Sequence, residues 1–319
     1  MIAHDFPLGS SAKALIRLGR MLSEAGYRFI TGTPATHARV NARPGNRRAR
    51  CVEDVFGWSR PFGKDTLPSA LVDLMYKAEI IEGDGENYRS LVRLSSLGDL
   101  LLFHSAFPTV DADAVFFGPD TYRFASALRQ HLRAAATPPR GRVVDIGTGT
   151  GAGALFMGAN FPGWTVFAGD INERALNLAR VNQTLNQIGN VRVCRSNLLD
   201  GVDGPVDLIV SNPPYMLDPA GRSYRNGGGT LGQGLSIAVI DAAIDRLAPG
   251  GSLFLYTGSA MVDRQDGLLA AAAQRLKQSG LRWTYRELDP DVFGEELESD
   301  AYAGVDRIAV IALSAFKPG

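Results

Sequence analysis

The chain has 319 residues, 45% hydrophobic and 21% charged, a composition that supports a buried core of domain size without staples and a length that allows two domains. Its 33 basic and 33 acidic side chains cancel, which argues against nucleic-acid binding through an overall field; the local exception is Arg39, Arg43, Arg47, Arg48 and Arg50, interleaved with Pro44, Gly45 and Asn46 in what reads as one basic loop for phosphates or a protein partner. Cys51 and Cys194 support neither a disulfide framework nor a zinc site, and with no basic-apolar leader and no run of about eighteen apolar residues, the expected setting is cytoplasmic, without secretion or membrane spanning.

In chain order, residues 11–26 and 67–81 carry helical periodicity, and NYRSLVRLSSLGDLLLFHS, 87–105, alternates like paired short strands. Residues 1–105 are expected to form a small α+β domain, winged-helix-like in outline, for substrate recognition or an accessory role. A connecting segment, 106–141, holds a helix and ends in the linker TPPRG. From Arg142 the pattern becomes regular. RVVDIG, TVFAGDI, VRVCRSN, VDLIVSN and SLFLYTG read as strands, helices fall at 151–161, 172–189, 237–247 and 266–278, and LRWTYREL and DRIAVIALSAF close the chain with no helix between them. This rhythm predicts an α/β fold over 142–319: a Rossmann-like, seven-stranded doubly wound sheet with an antiparallel end.

Two motifs carry chemistry. VVDIGTGTGAG sets Gly147, Gly149, Gly151 and Gly153, with Thr148 among them, between a strand and a helix, where missing Cβ atoms let a ligand approach. Gly147 to Ala152 satisfies G-x-G-x-x-A, and Asp170 stands near the spacing of a ribose-binding carboxylate, so an NAD-dependent oxidoreductase is one reading. Asp145 favours another, because a carboxylate two residues before the first glycine would repel a pyrophosphate and hold an ammonium group. S-adenosyl-L-methionine (SAM) has such an end; its ribose suits Asp170, its adenine suits Ile171 and Leu198, and Asn197 meets the adenine's amino edge. The second motif, VSNPPYML at 210–217, ends a core strand in two prolines that supply no backbone N–H.

VDIGTGTGAGAL, GDINERAL and SNPPY, in that order, resemble the class I SAM-dependent methyltransferases over residues 142–316, and most resemble the HemK-like and "methyltransferase small" N-methyltransferases. The resemblance implies SAM as cofactor, a seven-stranded sheet, and methylation of a glutamine amide in a protein or an exocyclic amine of a base in RNA or DNA. Asn197 departs from it, since many relatives carry an aspartate there. It also implies that VFFGPDTYRF, 115–124, covers the cofactor, with Phe117, Gly118, Pro119 and Thr121 as substrate-side candidates.

Such nitrogens are poor nucleophiles because their lone pair is delocalised. If the Asn212 oxygen and the Pro213 carbonyl each accept one N–H of the target, the lone pair is drawn out and aimed at the methyl. Pro213 and Pro214 make that corner rigid, and Tyr215 is expected to stack on the planar group. Asn212 also borders the cofactor. No general base is required, and His4, His37, His104 and His131 show neither catalytic nor metal-ligand spacing. RNGGGTLGQG, 225–234, reads as a mobile lid or substrate rim. A small-molecule amine or amide as acceptor, and a non-catalytic SAM-binding subunit, remain as alternatives.

Overall fold

The computed structural model describes residues 8–84, 86–134 and 140–319; His4 and the expected linker's Thr137, Pro138 and Pro139 lie outside them. The amino-terminal part contains α1 (Ser10–Glu24), α2 (Pro34–Asn41), α3 (Val52–Phe56) and α4 (Ser69–Lys77). Two hairpins follow, β1 (Ile81–Glu82) with β2 (Arg89–Ser90) and β3 (Val92–Leu97) with β4 (Leu100–Ser105). The arginine-rich stretch is not the single loop expected from sequence. Pro34 presets φ at the first helical position and the Thr33 hydroxyl accepts from the Thr36 N–H, so α2 forms and carries Arg39. Arg43 to Arg50 follow through a 3-10 turn at Pro44–Asn46.

After α5 (Pro119–Ala134) come β5 (Arg142–Ile146), α6 (Ala152–Asn160), β6 (Thr165–Asp170), α7 (Glu173–Leu185), β7 (Val191–Arg195), β8 (Val206–Ser211) and α8 (Gly234–Arg246). The chain ends with β9 (Leu247–Val262), β10 (Gln265–Asp266), α9 (Gly267–Ser279), β11 (Arg282–Asp289) and β12 (Arg307–Phe316). The central sheet runs β7-β6-β5-β8-β9-β12-β11, parallel from β7 to β9 and antiparallel through β12 and β11, which is the doubly wound architecture expected. Successive strand residues face opposite sides. Val143, Leu208, Phe254 and Val310 join the core under α5 and α6, while Val144, Ile209, Leu255 and Ile311 join the one under α8 and α9.

The amino-terminal part packs on α7. Its core takes in Ala175, Leu178, Val181 and Leu185. Asn182 accepts from the Phe103 N–H (2.7 Å) and donates to the Phe103 carbonyl (3.0 Å), and Asn186 does the same at Leu101 (2.9 and 2.8 Å). Two helical residues four apart rise about 6.0 Å and two strand residues two apart about 6.6 Å, so a pair of asparagines can satisfy one edge of β4 as a neighbouring strand would. Among the described residues no helix is long and apolar enough to cross a membrane.

Candidate functional site

Because β5, β6, β7 and β8 are parallel, the chain leaves them at one edge of the sheet, and there a cavity of about 680 Å³ opens. Asp145, Gly147, Thr148, Gly149, Asp170, Ile171, Asn197, Leu198, Asn212, Pro213, Pro214 and Tyr215 all line it. The glycine loop turns with φ of +69°, +55° and +84° at Gly147, Gly149 and Gly151, values that favour glycine. Gly151 does not face the cavity: it caps α6 and lies against Leu155 and Ala179.

Two carboxylates hold this loop. Asp145 is 2% exposed, and its Oδ2 accepts from the Thr148 hydroxyl (2.6 Å) and the Ala154 N–H (2.9 Å). Burial pushes its carboxyl up to about 7; those two hydrogen bonds pull it down, and nearby Asp170 pushes it up. Asp170 accepts from the Gly149 N–H through Oδ2 and from the Asn172 N–H through Oδ1, both at 2.9 Å, and burial raises its carboxyl too. The donors to the two carboxylates are all neutral groups, so the charge the carboxylates carry is left for a cationic ligand. Leu198 takes a left-handed φ of +54°, in a turn stitched by Ser196 Oγ to the Leu198 carbonyl and by the Asn197 N–H to Asp200. Ile171 is 57% exposed, an apolar face open to a flat ligand.

At the other end of the cavity, Asn212 Nδ2 donates to Asp120 Oδ2 (3.3 Å), and the Tyr256 hydroxyl donates to Asp120 Oδ1 (2.7 Å). Tyr215 lines the cavity as a packed wall and not as a free stacking platform: it is 7% exposed, edge-on to Phe293 at 6.0 Å and close against Gly258 through Cδ2 and Cε2.

The covering segment departs from expectation. Thr121 lines the cavity, but Phe117, Gly118 and Pro119 do not. Phe117 is fully buried against His104 and Tyr122, Gly118 has its N–H tied to the Thr121 hydroxyl, and Pro119 starts α5. Phe116 faces the cavity instead, stacked on Tyr224 at 5.6 Å and 11°. Ser223 N–H to the Ala112 carbonyl, Tyr224 hydroxyl to the Thr109 carbonyl, and Arg174 to Asp111 and Asp113 fasten this cover. The expected glycine-rich lid is laced to the corner, with the Gly227 N–H on the Met216 carbonyl and the Met216 N–H on the Arg225 carbonyl. Arg225 pairs with Glu296, linking the same loop to the β11–β12 connection, and Arg222 pairs with Asp218 just before it. Asp120, Tyr224, Tyr256 and Glu296 carry no sequence motif; only Asp120, in the first turn of a helix after a proline, had a local signal, and that signal is equally one of capping.

The model of the methyltransferase small domain family matches residues 110–278, just over half of the sequence, and the chain belongs to that family. Among curated proteins it is similar to the release factor glutamine methyltransferase of Deinococcus radiodurans, 36% identical over 198 residues, 59% of this chain and 66% of that protein. It is also similar to the one of Bradyrhizobium diazoefficiens, 33% identical over 167 residues, 49% of this chain and 56% of that protein. The chain thus spans between about half and two thirds of the length of these relatives. Among solved structures, a methyltransferase from Pyrococcus furiosus overlays 61% of this chain and 83% of its own at 25% identity and a TM-score of 0.44.

Proposed function

We propose that this chain is a SAM-dependent N-methyltransferase that acts on a glutamine side-chain amide of a protein, a peptide-chain release factor being the first substrate to test. The observation that carries this reading is the meeting, in one cavity, of the Asp145 and Asp170 carboxylates with the Asn212–Tyr215 corner. Family membership and the names of the similar relatives agree with it.

The donor set suits SAM: Asp145 beside the ammonium, Asp170 on the ribose hydroxyls, and Ile171, Leu198 and Asn197 around the adenine. When bound, SAM supplies a methyl group on a cationic sulfur, and attack by the amide nitrogen breaks the sulfur–carbon bond with its electron pair going to sulfur. The chain's own residues orient the attack. Asn212 and the Pro213 carbonyl accept the two N–H groups of the amide, so that its lone pair lies on the axis of the departing bond. The methylated nitrogen loses one proton to water. The reaction belongs in the cytoplasm, where the free thiols of Cys51 and Cys194 stay reduced.

A second reading, an exocyclic base amine in RNA or DNA, is favoured by the exposed Arg39, Arg43 and Arg47 on and after α2, whose Pro34, Ala35 and Ala38 line the cavity mouth. Incubation with methyl-labelled SAM and a purified bacterial release factor tests the first reading, with one methyl expected on a glutamine by peptide mass spectrometry. Label moving to nucleic acid in a fractionated extract would favour the second. SAM binding with no labelled fraction would favour a non-catalytic subunit, and NADH binding without SAM binding would overturn both readings.

A further inference from the structure

We propose that Asp120 is the positioning residue of the corner: its carboxylate fixes which end of the Asn212 amide faces the cavity. An asparagine amide is nearly symmetric in shape, and a half-turn exchanges its oxygen and its NH2 group. At the end of β8 this exchange decides the chemistry, because an oxygen toward the cavity accepts an N–H of the target while an NH2 group there repels it. An ionised carboxylate accepts hydrogen bonds only, so Asp120 Oδ2, at 3.3 Å from Asn212 Nδ2, can take the NH2 end and leaves the oxygen for the cavity. A hydrogen bond to a buried anion also polarises the amide and strengthens that oxygen as an acceptor.

Three elements hold Asp120 in turn. It sits in the first turn of α5, 8% exposed; fully buried Tyr256 of β9 donates to its other oxygen at 2.7 Å; and Asn212 approaches from the end of β8. The other groups facing it are the Tyr215 phenol, which lies by the carboxylate without a hydrogen-bond partner, and Arg123 of α5, which pairs with Asp289 of β11 at 3.4 Å. Burial raises the Asp120 carboxyl, and the bonds from Tyr256 and Asn212, the neighbouring Tyr215 phenol and the charge of Arg123 draw it back. Once protonated, Asp120 becomes a donor, and Asn212 is free to turn its oxygen inward. Turnover therefore fails on the acid side without any general base in the mechanism.

The inference rests on the methyltransferase reading for its kinetic arm alone. With a release factor as acceptor, Asp120→Asn, which offers Asn212 a donor and an acceptor equally, is expected to lower kcat roughly 100-fold, the scale of losing one preorganised hydrogen-bonding group. SAM affinity should stay within a few-fold, and the unfolding temperature should hold or rise, since a neutral isostere replaces a buried acid. Tyr256→Phe removes a bond that favours the ionised form, so the acid limb of the kcat profile should move to higher pH, a shift that a merely structural tyrosine would not produce. Wild-type kcat in Asp120→Asn, or an unmoved acid limb in Tyr256→Phe, would overturn the assignment. The second arm needs no substrate. The Asn212 side-chain amide signal in a nitrogen-15 spectrum, identified as the one missing from Asn212→Ala, should titrate with pH in the wild type, at higher pH in Tyr256→Phe, and not in Asp120→Asn. A signal that does not titrate in the wild type, or titrates equally in Asp120→Asn, would overturn the inference. If the release factor is not methylated at all, the substrate reading falls while this spectrum still decides the role of Asp120.

Discussion

At Asp145 the fold holds a carboxyl up to about 7, against an ordinary value near 4, chiefly because the side chain is buried. The sign of the linkage follows. Below about pH 4 the acid is neutral in both states; above it the unfolded chain ionises first, so the contribution of Asp145 to stability declines as pH rises toward about 7 and stays low beyond. Asp145→Asn should therefore gain unfolding temperature over the wild type progressively across that window, approaching an advantage on the order of 4 kcal/mol without ligand. A temperature difference that does not grow between pH 4 and 7 would contradict the burial argument. Asp170 and Asn212 should separate by readout. Asp170→Ala, which frees the Gly149 and Asn172 N–H groups, should weaken SAM binding about 10- to 100-fold by calorimetry. Asn212→Ala should cut kcat by about 100-fold or more and leave SAM affinity within a few-fold. Equal losses of affinity in the two variants would count against this division of roles.

The elements matched the sequence pattern in kind more closely than in extent. SLFLYTG was expected as a seven-residue strand after the helix at 237–247, yet β9 runs from Leu247 to Val262. It is lengthened because Gly250 and Gly251 exchange hydrogen bonds with Lys317 beyond the end of β12, and because Met261 and Val262 turn back on β10. In the middle of this strand Gly258 has a packing purpose: a Cβ there would stand 2.2 Å from Cδ2 of Tyr215. Gly258→Ala must displace the ring, with a cost of about 1–3 kcal/mol expected for overpacking. Thermal unfolding would report that loss, and kcat should fall with it because the corner moves. An unchanged unfolding temperature would mean that Tyr215 can yield.

On the scale of the whole molecule, the joint between the amino-terminal part and α7 also supports the site. Asn182, besides holding both backbone groups of Phe103, donates to the Thr150 carbonyl at 2.9 Å and so ties β4 to the glycine loop through α7. Asn182→Ala would leave buried backbone groups unpaired, with a destabilisation of about 3 kcal/mol expected. Urea unfolding should show it, together with faster hydrogen exchange at the Phe103 amide and weaker SAM binding. Unchanged exchange at Phe103 would place the strength of the joint in its apolar contacts instead.

Whatever depends on neighbours along the chain is legible without a structure. The alternation of strands and helices after Arg142, the glycine loop with its positive φ, and the places of Asp145, Asp170 and Asn212 at strand ends all follow from local periodicity and turn chemistry. Helix α2 was hidden because its short run shows no apolar stripe, and its last turn, with Arg39, ran into what looked like an arginine loop. Long-range packing settles that Phe116 and not Phe117 faces the cavity, that Tyr215 is a wall, and that Asp120 and Tyr256, 136 positions apart, meet behind Asn212. Burial, and with it the shifted carboxyl of Asp145 and the fixed end of the Asn212 amide, is set by what packs from distant parts of the chain, and no local pattern carries that information.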